Sequence, residues 1–271
     1  MIKMAHTVPP EHFHLQEKVS QCYLVLAHEL TKNEKYKRAI MDRDRSKPMM
    51  LDNGGYELGE AISDHLLYVL AREFEPDILI LPDVFLDGKT TTTRVEKCLD
   101  FLKGVGGAGD VKLMAVPQGK TVAEYMECLM RFYNMDEVDM LGISFLVVER
   151  CFSQVTLQPG VEVNRPYLIK LMLRLGLTEK PVHLLGLGDP IELKSYKNIP
   201  FVVSCDSSIC YQAMLENCEI GLQGFKRRKF RKLNFKNVPD LSEHQKEMFL
   251  KNAIAVNTLA GVGYLGNTLG R

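Results

Sequence analysis

The sequence predicts a single-domain (β/α)8, TIM-like barrel spanning residues 1–271, and three observations carry that expectation. Short apolar runs alternate with helix-patterned stretches about seven times. The runs lack polar alternation, as strands covered on both faces do. Polar residues follow at least five of them, and a barrel gathers such residues on one C-terminal rim. An open doubly wound sheet shares the first two features; the third favours the barrel.

The first strand is Cys22–Leu26, all apolar. The polar stretch 31–48 reads as an insertion or rim hairpin. Met49–Asp52 is the next strand, stopped by Asn53-Gly54-Gly55. Residues 59–74 have helical spacing, with Ala61, Ile62, Leu66, Val69 and Leu70 on one face. Asp77–Asp83 reads as a central strand, with four successive apolar residues. Thr90–Thr93 cap a helix that ends near Lys103. Lys112–Pro117 and Met140–Ser144 are strands, each followed by a helix, at Val122–Tyr133 and Arg165–Leu175. His183–Gly188 is a strand with a Gly-rich exit, and Pro190 suits the first turn of a short helix. Phe201–Asp206 precedes a helix at Ser208–Glu216. Ser242 with Gln245 forms a capping-box signature for Glu243–Leu259. These runs make seven strands; residues 219–222 are the expected eighth.

Composition narrows the function classes. Apolar and charged fractions are those of a soluble globular protein. No run approaches the roughly 20 apolar residues that span a bilayer. Residues 1–14 carry three histidines and no apolar core, which reads against a secretory leader. Seven cysteines, an odd number without Cys-x-x-Cys, point to a reducing cytoplasmic setting and to no structural metal. Formal net charge is zero, yet residues 225–236 hold seven cations and no acid, which leaves −7 elsewhere. Phe225, Phe230 and Phe235 interleave with Lys226, Arg227, Arg228, Lys229, Arg231, Lys232 and Lys236. Cations with aromatics in this pattern suit phosphate contact and base stacking; a solvated basic loop is the plainer alternative.

Chemistry is expected at the strand ends. Phe201–Asp206 would deliver Asp206 to the C-terminal rim as a candidate nucleophile, although Asp206 or Ser207 also reads as a helix cap. Asp52-Asn-Gly-Gly-Tyr56 is a rim cluster or an ordinary Asn-Gly turn. Asp83 is placed to bind ligand N–H groups or to cap a loop. Gln118-Gly119 offers an amide and an open backbone, and Gly142-Ile143-Ser144 another bare strand end. Leu185-Gly186-Leu-Gly188 reads as tight packing or as a ligand turn.

In this order these stretches resemble the queuine/archaeosine tRNA-guanine transglycosylases. The family's Asp-Ser-Gly-Gly-Tyr/Phe-Gln is similar to Asp52-Asn-Gly-Gly-Tyr-Glu57. Its strand-end aspartate resembles Asp83, its Gln-Gly-Gly Gln118-Gly119-Lys120, and its Gly-rich turn Leu141-Gly-Ile-Ser144. Its Leu-Met-Gly-Val-Gly-Thr-Pro resembles Leu184–Pro190, and its nucleophilic aspartate Asp206. The family's Cys-x-Cys-x-x-Cys…His zinc subdomain has no counterpart, and Ser207-Ser208-Ile209 replaces its Pro-Thr-Arg. The departures resemble the compact phage members of the DNA-guanine transglycosylase branch.

The resemblance implies exchange of guanine in DNA for a 7-deazaguanine, such as 7-cyano-7-deazaguanine. Asp206 would be the nucleophile and Asp52 the general acid/base. Asp83, Gln118, Gly119, Gly142, Ile143, Ser144 and Gly186 would bind the base, with Tyr56 and Leu185 sandwiching its ring. It implies no cofactor, a cytoplasmic monomer (in the bacterial host if phage-encoded), and DNA rather than tRNA as polymer. A tRNA enzyme without the zinc subdomain, a non-catalytic nucleic-acid-binding paralogue and an unrelated barrel lyase are the alternatives.

Overall fold

The computed structural model describes residues 1–153, 164–223 and 238–262. Eight parallel strands form one nearly closed, barrel-shaped sheet. They are β1 (Lys3–His6), β2 (Tyr23–Leu26), β3 (Met49–Asp52), β4 (Ile78–Ile80), β5 (Lys112–Ala115), β6 (Met140–Ser144), β7 (Val182–Leu185) and β8 (Val202–Ser207). β2 to β8 lie side by side in sequence order, and β1 pairs with β8. At the remaining seam the Gln21 N–H donates to the Met4 carbonyl at 2.9 Å, and its side-chain oxygen accepts the Met4 N–H at 3.1 Å.

Helices alternate with the strands: α1 (Phe13–Val19), α2 (Ala27–Leu30), α3 (Glu34–Met41), α4 (Gly55–Leu58), α5 (Asp64–Phe74), α6 (Gly88–Gly104), α7 (Val122–Tyr133), α8 (Phe145–Phe152), α9 (Arg165–Arg174), α10 (Ile209–Leu215) and α11 (Glu243–Leu259). Their starts follow from local chemistry. Asp87 caps α6 by accepting the Thr90 N–H, so threonines 90–93, expected as the cap, lie inside the helix; Thr121 caps α7 through the Glu124 N–H, and Ser242 with Gln245 completes a capping box on α11. A 3-10 segment, Pro190–Tyr196, joins β7 to β8. Among the described residues no helix is long and apolar enough to cross a membrane.

Three expectations change. The eighth strand is β1 at the N-terminus, not residues 219–222, where Ile220 is buried and its N–H is taken by Asn252. Only Met4 and Ala5 are apolar within β1, too few for a recognisable run. Residues 31–48 hold no hairpin; they contain α3, the crossover helix between β2 and β3. Its buried residues are Tyr36 and Ile40, with Ala39 half-buried beside them, so charge hides the helical period. α5 starts at Asp64, capped by Ser63, and buries Leu67, Leu70, Ala71 and Phe74, leaving Val69 exposed.

The core has two layers. The larger lies between sheet and helices. The smaller fills the barrel interior with Ala5, Cys22, Leu24, Met50, Ile80, Met114, Val116 and Met140. This apolar plug closes the interior below the C-terminal rim, so the inward polar residues lie above it. Side chains alternate along a strand, so Asp52 shares the inward face of β3 with Met50. Asp206 sits opposite Ala5 in the β1–β8 register and faces the interior with it.

Candidate active site

Asp206 reaches the interior through a bulge. Val182 pairs with Val202, but His183 pairs with Ser204, so β8 carries one extra residue. Because the side-chain period is two, the extra residue inverts everything after it. Without it Asp206 would point into the outer core.

The carboxylate is buried, and its two oxygens differ. Oδ1 accepts the Gly186 N–H at 2.9 Å and lies 3.2 Å from His183 Nε2. Oδ2 has no hydrogen-bond donor among the described residues. Gly186 has a φ of +69°, which aims its N–H at Asp206 and favours glycine at this position. The cap that competed for Asp206 falls to Ser207, whose hydroxyl accepts the Ile209 N–H at 3.1 Å. Two buried thiols lie in the field of Asp206. Burial, then the Asp206 charge, pushes Cys22 up to about 12; burial raises Cys205 well above the usual thiol value.

The second cluster spans β3 to β5. Asp83 accepts from Asn53 Nδ2 at 2.9 Å on one oxygen and from Gln118 Nε2 at 2.5 Å on the other. Desolvation raises its pKa, while those two amides pull against the rise. Gln118 is buried, and its amide oxygen accepts the Leu86 N–H at 3.0 Å. Both side chains expected to read a base edge are therefore engaged with protein groups. Asp52 Oδ2 accepts the Gly54 N–H at 2.9 Å.

The remaining expected residues divide. Tyr56 is 58 % exposed on α4, which follows β3. Gly142 is buried inside β6; a Cβ there would lie 2.9 Å from Leu185 and 3.0 Å from Val116, so interior packing accounts for the glycine. Gly119 packs equally closely on the Tyr125 backbone. Ser144 caps α8. Leu185 is half-buried against the interior plug. The basic residues Lys226, Arg227, Arg228, Lys229, Arg231 and Lys232 lie outside the described residues.

Sequence reasoning assigned no role to three groups that organise the site. His183 is fully buried with Ser204 Oγ 2.7 Å from its Nδ1; a histidine in an apolar strand was its visible signal. Asn53 ties Asp83 to β3. Arg165, fully buried, donates to the carbonyls of Ile143 at 3.0 Å, Leu185 at 2.9 Å and Gly186 at 2.8 Å, and to Glu192 at 2.7 Å. Tyr196 also donates to Glu192. The fork locks the ends of β6 and β7, and with them the Gly186 peptide. Compared with known proteins, the chain matches no family model and no curated sequence.

Proposed function

We propose that this chain is a pentosyltransferase that exchanges guanine in DNA for a 7-deazaguanine. One observation carries the reading: an inward carboxylate at the C-terminal rim of a (β/α)8 barrel with Oδ1 anchored and Oδ2 without a described donor. Such a group suits covalent catalysis at a sugar carbon. Asp52, inward on β3 of the same rim, supplies the second carboxyl that base exchange needs. The ordered resemblance of the strand-end motifs narrows sugar chemistry to base exchange.

In this reading Asp206 Oδ2 attacks C1′ of the target nucleotide, and the bond from C1′ to the guanine nitrogen breaks. Protonated Asp52 gives its proton to the departing guanine. The carboxylate so formed takes the ring-nitrogen proton of the incoming base. That nitrogen attacks C1′, and the Asp206 carboxylate leaves. Proton and electron pair balance over the cycle, and no cofactor enters. A guanine within a duplex must leave the stack first. Rim-exposed Tyr56 is the candidate surface for its ring.

The basic segment at 225–236 is assigned to the phosphate backbone, and Ser207-Ser208-Ile209, in place of the tRNA enzymes' Pro-Thr-Arg, favours DNA over tRNA. Labelled guanine, offered with DNA or with tRNA, tests both halves. We expect incorporation into DNA and a trapped enzyme–DNA adduct, both lost in Asp206→Asn with unchanged thermal unfolding. Exchange by the folded Asn variant would remove Asp206 as nucleophile, and incorporation into tRNA alone would remove DNA as substrate. Replacing Lys226, Arg227 and Arg228 together should flatten the fall of log K with log salt by about 0.7 to 0.9 per lost phosphate contact. An unchanged slope would free the segment of that role.

A further inference from the structure

We infer that His183 is a positioning residue whose main effect is on the breakdown of the aspartyl–sugar ester rather than on its formation. The inference rests on the base-exchange reading above. His183 and Ser204 lie on adjacent strands, brought into register by the β7–β8 bulge. The imidazole is wholly buried, with Nδ1 2.7 Å from Ser204 Oγ and Nε2 3.2 Å from Asp206 Oδ1.

The partners determine which nitrogen carries the hydrogen. A carboxylate only accepts, so Nε2 must donate to Asp206. In the neutral ring Nδ1 then accepts, and the Ser204 hydroxyl is its donor. Ser204 thus holds the tautomer that Asp206 requires, as a partner on one ring nitrogen sets the other. Oδ1 carries two converging donors, the His183 Nε2–H and the Gly186 N–H.

The asymmetry of the carboxylate gives these donors different weight in the two steps. When Oδ2 bonds to C1′, Oδ1 becomes the ester carbonyl oxygen and keeps both donors. When the incoming nitrogen attacks C1′, the C1′–Oδ2 bond breaks and its electron pair returns to the carboxylate. Part of that charge appears on Oδ1, facing the two N–H groups. Donors aimed where charge develops accelerate the step that develops it. In the first step the same donors hold charge back from the nucleophile, so their loss does not slow attack in proportion. A histidine that only filled space would not separate the two steps.

The test compares wild type, His183→Phe, His183→Gln and Asp206→Asn by rapid quench with DNA and labelled guanine. Removing one of two donors should lower the exchange kcat by about 10- to 100-fold in His183→Phe. The adduct fraction at steady state should rise, and KM for DNA should fall together with kcat, so that kcat/KM for DNA stays unchanged. His183→Gln, whose amide can donate to Oδ1, should recover most of the exchange. Equal loss of adduct and exchange in His183→Phe, or no change in either, would overturn the inference while leaving the base-exchange reading intact. A wild-type protein that forms no adduct on DNA or tRNA would overturn that reading and this inference with it. Should the Phe variant not fold, the wild type still decides through its ¹⁵N-labelled histidines. The one ring that responds to Asp206→Asn must carry its hydrogen on Nε2; a hydrogen on Nδ1 alone would refute the donor assignment.

Discussion

Asp83 and Asp206 are both strand-end aspartates, yet their surroundings set them to different work. Asp83 spends both oxygens on amides from neighbouring strands and braces the rim, whereas Asp206 keeps Oδ2 clear of described donors. Gln118→Ala should leave the Leu86 N–H and one Asp83 oxygen without these partners, at a cost of about 1–3 kcal/mol in denaturant unfolding. Leu86 also has a φ of +57°, a left-handed conformation that leucine adopts only when its surroundings hold it there. His6 gives the clearest pH effect. It is fully buried and donates to Asn257 at 2.8 Å; desolvation lowers its pKa to about 4, against the Asn257 bond. Between pH 6.5 and about 4 the unfolded chain takes up a proton that the folded chain refuses. The stability contribution is complete above 6.5 and is lost as pH falls, to a total of roughly 3 kcal/mol. His6→Gln should flatten that part of the stability–pH curve; an unaltered curve would clear His6 of the effect.

At the scale of an element, the N-terminus of α9 acts on the strand ends through Arg165. The guanidinium pins three carbonyls and pairs with Glu192 in a site with almost no solvent. Removing one member of such a pair leaves the other charged and buried. Arg165→Met should therefore cost about 3–5 kcal/mol in thermal or denaturant unfolding. Arg165→Lys keeps a charge but not the fork, so it should retain more stability while losing exchange, because the Gly186 peptide is no longer held. Equal activity of the Lys variant and wild type would show that the Gly186 turn needs no fork. The helix around Arg165 was legible in the sequence, and in the structure it starts with an Asn164 cap and Pro166. The reach of its first side chain to β6 and β7 was not, since no local pattern encodes contacts between distant segments.

For the whole molecule, the decisive strand is the least conspicuous. β1 occupies the edge of β8, approaches β2 through Gln21, and ties to α11 through His6 and Asn257. Deleting residues 2–6 should uncover the edges of both β8 and β2, and open parallel edges invite aggregation. We expect the deletion protein to lose its cooperative thermal transition. A cooperative transition at the wild-type Tm would mean that the barrel holds without this strand.

Seven strands, most crossover helices and the capping of α11 were legible because burial on two faces and local hydrogen bonds leave marks within a few residues. Asp52 and Asp206 could be marked as rim residues for the same reason: each ends an apolar run. Which way Asp206 points was decided only by the tertiary structure. A single extra residue in β8 inverts the alternation, and its position depends on pairing with β7. The partners of Asp206, Asp83 and Arg165 were decided in the same way, because hydrogen bonds across a barrel join residues whose separation in sequence carries no period.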